Sequence, residues 1–123
     1  MRHPSAVLAR DVTVGAGTYI GATAVVSVCT QIGANVILNG TGCLGHHNAI
    51  GDHVHIAPGV TITGDVCIGE GTLIGAGAVI IPGRRVGAWC TVGAGAVVTR
   101  DVPDGATVAG VPARSRQPEA SST

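Results

Sequence analysis

The chain has 123 residues, seven arginines, no lysine and a formal net charge of zero at pH 7. Nucleic acids and anionic membranes are bound by basic surfaces, so this balance argues against both kinds of partner. Hydrophobic residues make up 46% of the chain and charged residues only 11%, which excludes an intrinsically disordered protein. With 20 glycines and 2% aromatic residues, the composition is that of an ordered repeat built from small and aliphatic residues.

Residues 1–6 are expected to form a short lead-in. They contain no apolar stretch of the kind found in signal peptides, and no later segment approaches the roughly 18 apolar residues of a membrane span. The four cysteines form no Cys-x-x-Cys unit. We therefore expect a reduced, cytoplasmic protein with no membrane partner.

A strict six-residue repeat fills most of the chain. An aliphatic residue occupies every sixth position from Leu8 to Val98, sixteen in all, and glycine follows nine of them. A helix fits neither a period of six nor this density of glycine, whereas short strands joined by tight turns fit both. Three strands would complete a coil of 18 residues, and successive coils would pair through their main chains at about 4.8 Å.

This repeat resembles that of the hexapeptide-repeat acyltransferases. The resemblance implies an all-β fold, a left-handed parallel β-helix of about five coils over residues 7–103. Residues 104–114 would form a C-terminal segment that closes a cofactor groove. Residues 115–123 are polar and are expected to be a flexible tail.

Four of the five histidines fall within ten residues, at His46, His47, His53 and His55, and all are expected to point outward. Beside them Asn48 occupies a position where the repeat has a small core residue, and such a local departure often marks function. Three interpretations stay open. The histidines are solvated surface residues, they bind a metal, or one of them is a general base, since a neutral imidazole accepts protons near neutral pH.

A metal site of the γ-class carbonic anhydrase type fits poorly. If His46 is aligned with the middle ligand, Thr41 and Gly51 fall where the other two ligands belong. We therefore expect no metal. A covalent acyl-enzyme on Cys43 is a further alternative, against the ordinary expectation of an inert small thiol.

The segment 39–60 resembles the core of the sialic-acid O-acetyltransferases and UDP-amino-sugar N-acetyltransferases, and segments 3–6 and 108–114 match that family as well. The resemblance implies that His46 is the catalytic base, that Asn39 lines the substrate pocket, and that His55 contacts the thioester of acetyl-CoA. It also implies a groove of small residues for the pantetheine arm: Gly75, Ala76, Gly93 and Ala94.

Two departures from the family affect the expected chemistry. The family usually has a carboxylate directly after the base, where this chain has His47, which orients its neighbour but brings no negative charge. Asp65 lies 18 residues after His47, hence in the next coil, and is expected to supply that charge. The relatives also carry an N-terminal sugar-nucleotide domain, and this chain begins at the junction, which implies a smaller acceptor or a different acceptor-binding surface.

The predicted outer surface is more apolar than that of a typical soluble monomer. The outward apolar positions are Val25, Val28, Ile37, Ala76, Val79, Ala88, Trp89, Ala94 and Val97. They predict a homo-oligomer, and the family implies a homotrimer. The whole pattern predicts an acetyl-CoA-dependent acyltransferase acting on an amine or hydroxyl of a small acceptor such as an amino sugar, with a non-catalytic β-helix scaffold as the alternative.

Overall fold

Main-chain pairing between residues 18 apart builds the protein. The computed structural model describes residues 1–116. In it Val7 pairs with Val25, and Val25 pairs in turn with Cys43, so each strand lies beside the strand one coil later. The N–H and C=O groups of these short strands find their partners in the neighbouring coils, which is how two-residue strands are stable at all.

The strands in the described residues are β1 (Val7–Leu8), β2 (Thr13–Val14), β3 (Tyr19–Ile20), β4 (Val25–Val26), β5 (Gln31–Ile32), β6 (Ile37–Leu38), β7 (Cys43–His46), β8 (Ala49–Ile50), β9 (His55–Ile56), β10 (Thr61–Gly64), β11 (Cys67–Ile68), β12 (Leu73–Ile74), β13 (Val79–Ile80), β14 (Arg85–Val86), β15 (Thr91–Val92), β16 (Val97–Val98), β17 (Thr107–Ala109) and β18 (Arg114–Ser115).

From β1 to β16 successive strands fall on three sheets in rotation, and β17 and β18 both extend the third. Sheet one has the order β1-β4-β7-β10-β13-β16, sheet two has β14-β11-β8-β5-β2, and sheet three has β18-β17-β15-β12-β9-β6-β3. The cross-section is therefore triangular, and we call its edges the 1–2, 2–3 and 3–1 corners after the sheets that they join. The predicted all-β hexapeptide β-helix is confirmed, with about six coils in place of about five, since sheet one alone has six strands.

The aliphatic repeat forms the core, as predicted. From Ile20 to Val98 every sixth residue is buried, and each such side chain contributes roughly 1.5–3 kcal/mol through its removal from water. The first coil differs, because it has a neighbouring coil on one side only. There Leu8 is half-buried and Val14 is 39% exposed.

The corners turn at residues in the left-handed backbone region. Nine of these are not glycine, with φ between 54° and 60°: Asp11, Thr23, Cys29, Asn35, Thr41, His47, His53, Asp65 and Trp89. Such a conformation costs an L-residue about 1–2 kcal/mol, which the inter-coil hydrogen bonds around it offset. Where this residue is not glycine, the turn presents a side chain at the corner, and this is how His47 and His53 become exposed.

Both ends of the described chain pair with the coils. The His3 N–H donates to the Ile20 carbonyl at 2.7 Å, so the lead-in lies along sheet three. At the other end β17 adds to β15, and β18 pairs back on β17 in an antiparallel hairpin. Ser115, which the sequence assigned to the tail, thus belongs to a strand, and residues 117–123 of the predicted tail lie outside the described residues. Residues 1–116 contain no helix of the length and apolarity needed to cross a membrane.

Close stacking of the coils makes glycine obligatory at position 45. A Cβ on Gly45 would collide with the carbonyl oxygen of Thr63 in the next coil. Gly83, two coils along the same corner, has a φ of +76° and nothing within 4 Å of its would-be Cβ. We expect Gly45→Ala to lower the free energy of unfolding by about 3 kcal/mol through overpacking. Gly83→Ala should cost only the backbone strain of about 1–2 kcal/mol.

The two variants are compared by urea unfolding under identical conditions. Equal losses for Gly45→Ala and Gly83→Ala would show that coil spacing is not the constraint at position 45.

Candidate active site

Two adjacent imidazoles occupy the 1–2 corner. His46 ends β7 and His47 follows in the left-handed turn, and both are exposed, as predicted for the cluster. Their Nδ1 atoms are 3.1 Å apart, and the rings meet edge to face with centroids 5.2 Å apart. One Nδ1 donates and the other accepts. If His46 donates, its Nε2 has a free lone pair and can accept a proton from a substrate.

A bare glycine in the next coil makes room for the His46 ring. β7 and β10 are four residues long, and their register pairs His46 with Gly64. A Cβ on Gly64 would lie 3.3 Å from both Nε2 and Cε1 of His46, so a larger residue there would crowd the imidazole. Sequence reasoning did not single out Gly64, although its position 18 residues after His46 was the available signal.

Asn48 ties together the turn that carries the two histidines. It is only 2% exposed, its Nδ2 donates to the Gly45 carbonyl at 2.8 Å, and its Oδ1 accepts from the Val66 N–H at 2.9 Å. The break in the repeat at Asn48 is therefore a satisfied polar bridge between two coils. A buried amide with both ends paired fixes the local backbone instead of weakening it.

Asp65 lies in the same corner, one coil after His47. Its N–H donates to the His46 carbonyl at 3.1 Å. Within residues 1–116 its carboxylate makes no hydrogen bond or ion pair, and the partner of the His46 ring is His47. The supply of negative charge by Asp65 stays a prediction, and any such influence acts across space.

A second polar pair occupies the 3–1 corner. Asn39 follows β6, His55 begins β9, and the Asn39 Nδ2 donates to the His55 Nε2 at 3.0 Å. A neutral imidazole that accepts at Nε2 carries its hydrogen on Nδ1. His55 is exposed, so this Nδ1–H can donate a hydrogen bond to a bound molecule.

The small residues predicted to line a groove continue along that same corner. Gly75 and Ala76 follow β12, and Gly93 and Ala94 follow β15 one coil later. The coils are tightly stacked here, since a Cβ on Gly75 would lie 2.5 Å from the Ala94 nitrogen. Ala76 and Ala94 are exposed, and neither of their N–H groups has an acceptor within residues 1–116. Two free donors about 4.8 Å apart can bind successive carbonyls of an extended molecule.

One chain does not bring the predicted residues to one place. His46, His47 and Asp65 share the 1–2 corner, which lies opposite sheet three in a triangular cross-section. Asn39 and the small residues share the 3–1 corner, and His55 lies beside that corner on sheet three, in contact with Asn39. The two groups are separated by the width of sheet one. Within residues 1–116 no group of three His, Cys, Asp or Glu side chains is arranged to hold a metal ion.

Comparisons with known proteins agree with this fold. Residues 65–100 match the family model described as bacterial transferase hexapeptide (six repeats). A search of curated proteins finds no match to the chain. The fold and the repeat thus define a hexapeptide β-helix. Several solved structures are similar to most of this chain.

PerB from Caulobacter crescentus, solved in complex with CoA and GDP-perosamine, is similar over 94% of this chain with 37% identity and a TM-score of 0.93. The acetyltransferase domain of PglB from Neisseria gonorrhoeae, solved with acetyl coenzyme A, is similar over 94% of this chain with 38% identity and a TM-score of 0.90. WeeI from Acinetobacter baumannii is 33% identical over the same share, with a TM-score of 0.91. This chain spans only 56% of PerB, 56% of the PglB domain and 57% of WeeI.

The Asn48 bridge predicts a difference between two substitutions. Asn48→Ala leaves the buried Val66 N–H without an acceptor and should cost about 1–3 kcal/mol of stability. Asn48→Thr should cost clearly less, because Thr72, which holds the same place in a hexad on the 2–3 corner, accepts from the N–H of Cys90 in the next coil through its hydroxyl. Thermal unfolding of both variants measures the difference. Equal stability of the alanine variant and the unaltered protein would contradict the bridge.

Proposed function

We propose that this chain is an acetyl-CoA-dependent acyltransferase that moves an acetyl group to an amine or hydroxyl of an amino-sugar acceptor, with His46 as general base. The observation that carries the proposal is the His46–His47 hydrogen bond on the 1–2 corner, which leaves the His46 Nε2 lone pair for proton transfer when His46 is the donor. PerB and the PglB domain, which share its fold at 37% and 38% identity, were solved with CoA and acetyl-CoA.

The reaction follows from these groups. The His46 Nε2 takes the proton from the acceptor as its nitrogen or oxygen forms a bond to the acetyl carbonyl carbon. The carbon–sulfur bond then breaks, and the proton held by His46 passes to the leaving thiolate. An oriented general base contributes about 10²–10⁴-fold to such a step.

The 3–1 corner has the groups that an acetyl-CoA arm needs. The unpaired N–H groups of Ala76 and Ala94 suit the two amide carbonyls of the pantetheine arm. The side chains of Ala76 and Ala94 are exposed and small, so that arm can lie close to the backbone there. The His55 Nδ1–H, held as a donor by Asn39, is placed to bind the oxygen that becomes negative when the thioester is attacked. Residues 104–114 would close the distal end of this groove.

A symmetric assembly would join the two corners. The outward row of sheet one carries no charge: Val7, Val25, Cys43, Thr61, Val79 and Val97. Val7 is 58% exposed and Val25 is 38% exposed in the single chain, so covering this face would remove apolar surface from water. If the sheet-one faces of three parallel copies surround a threefold axis, the 1–2 corner of each copy meets the 3–1 corner of the next. We therefore propose a homotrimer whose sites lie between copies.

The acceptor is proposed by analogy with the structural relatives. The PerB structure holds GDP-perosamine, a sugar nucleotide. The chain spans 56% of PerB, so the groups that hold the acceptor in PerB need not all have counterparts here. An amino sugar acceptor, whether or not it bears a nucleotide, presents the nucleophile that the His46 lone pair requires.

We place this reaction in the cytoplasm. All four cysteines are free, and Cys43 and Cys67 are exposed. Exposed free thiols are stable in a reducing compartment and are oxidised or paired outside it.

The base role predicts that His46→Ala lowers kcat by about 10²–10⁴-fold. Acetyl-CoA binding, followed by thermal shift, should persist because the His46 corner does not carry the proposed groove. His53→Ala is the matched control, since His53 is an exposed corner histidine with φ of 60° and no side-chain partner within residues 1–116. It should turn over acetyl-CoA and an amino sugar like the unaltered protein.

Two outcomes would oppose the proposal in different ways. A His46→Ala variant with unchanged kcat would move the base elsewhere. Failure of the unaltered protein to bind acetyl-CoA or release free thiol with any amino sugar would favour the scaffold alternative.

The shared site predicts complementation between two inactive variants. In a mixed trimer of His46→Ala and His55→Ala chains, one of the three interfaces combines an intact His46 with an intact His55. Random association of equal amounts should therefore restore about one quarter of normal activity. The chains are co-refolded and assayed together. Activity that stays at the level of the separate variants would show that both histidines act within one copy or that no such interface forms.

A further inference from the structure

We propose that His47 is a positioning residue: through its own Nδ1 it accepts the Nδ1–H of His46 and thereby raises the population of the His46 tautomer that can act as a base. The inference rests on the proposed function of His46. A residue that only packed against the His46 ring would not determine which of its nitrogens carries the hydrogen, whereas the proposed role of His47 does.

The geometry allows only two arrangements of the shared hydrogen. The two Nδ1 atoms are 3.1 Å apart, which leaves room for one hydrogen between them. In the first arrangement His46 donates, and its Nε2 is a free lone pair. In the second His47 donates, His46 carries its hydrogen on Nε2, and that nitrogen cannot take a proton from a substrate.

Without a partner, His46 would sit largely in the unproductive form, because a free neutral histidine prefers the Nε2–H tautomer. The hydrogen bond to His47 counteracts this preference, since it gives the Nδ1–H form an acceptor. An imidazole does so incompletely, because it is able to donate as well as accept. A carboxylate at the same position only accepts and would leave the first arrangement alone.

The other groups along this corner do not replace His47. Cys29 lies one coil before it and Asp65 one coil after, both at the same turn position with left-handed backbones. Within residues 1–116 neither side chain hydrogen-bonds to an imidazole. The Nε2 edge of His46 faces Gly64, which has no side chain to offer. His47 is thus the group in contact with the ring that can select its tautomer.

The test uses ¹⁵N-histidine NMR on the full-length protein above the imidazole titration range, because the shifts of Nδ1 and Nε2 report directly which nitrogen is protonated. His47→Gly removes the acceptor and keeps the left-handed turn free of strain. Gly83 adopts the same backbone conformation at the equivalent position two coils later. His47→Glu supplies an acceptor that cannot donate. His53→Gly and His53→Glu are matched controls at φ of 60°.

The expected order of the Nδ1–H population of His46 is His47→Glu above the unaltered protein, and the unaltered protein above His47→Gly. The His53 variants should leave the His46 signals and the activity unchanged. The kcat should fall in His47→Gly by a larger factor than KM changes. A His46 ring whose tautomer is the same in all three proteins overturns the inference, as does an unaltered protein with His46 only in the Nε2–H form.

The tautomer order and the turnover separate the two proposals. If the tautomer follows the expected order while His46→Ala keeps its full kcat, the base role of His46 has failed, and the positioning role for catalysis falls with it. If His46→Ala is inactive and the tautomer ignores position 47, the base role stands and this inference alone is wrong.

Discussion

The hydrogen-bonded register between coils is the constraint on which everything else depends. Each strand pairs with the strand 18 residues later, so a side chain's neighbours above and below are known from its number. This places His46 over Gly64, and the Asn48 amide against the Val66 N–H. The same register aligns the free N–H groups of Ala76 and Ala94. A single residue inserted between the two members of a pair would displace one member relative to the other.

The triangular solenoid also places its two groups of polar residues on different corners. The imidazole pair lies on one edge of sheet one, and the Asn39–His55 pair with its small-residue groove lies on the other. Neither edge alone is a complete site for the proposed acyl transfer, because the proposed base lies on one edge and the proposed donor groove on the other. The uncharged face between them is the surface that the proposed trimer would cover. The same association would bring the two corners of neighbouring copies together.

Much of the fold was predictable from the six-residue period, because the alternation of aliphatic and small residues leaves few other structures. Val14 is exposed in spite of the pattern, since the first coil has a neighbouring coil on one side only. The sequence marked Asn48 only as a departure from the repeat, because it shows that a polar residue is present and not which backbone groups that residue satisfies. Coil spacing correctly put Asp65 beside His47, yet side-chain rotamers paired His47 with His46. The different corners of Asn39 and His46 were available from their positions within the 18-residue coil.

In the proposed trimer the His46 corner and the acetyl-CoA groove meet only between copies. Native mass spectrometry during an acetyl-CoA titration tests it most directly, because it reports the number of chains and of bound ligands in the same particle. We expect particles of three chains that fill with one acetyl-CoA per chain. Single chains at micromolar concentration, or trimers that take up no acetyl-CoA, would contradict it.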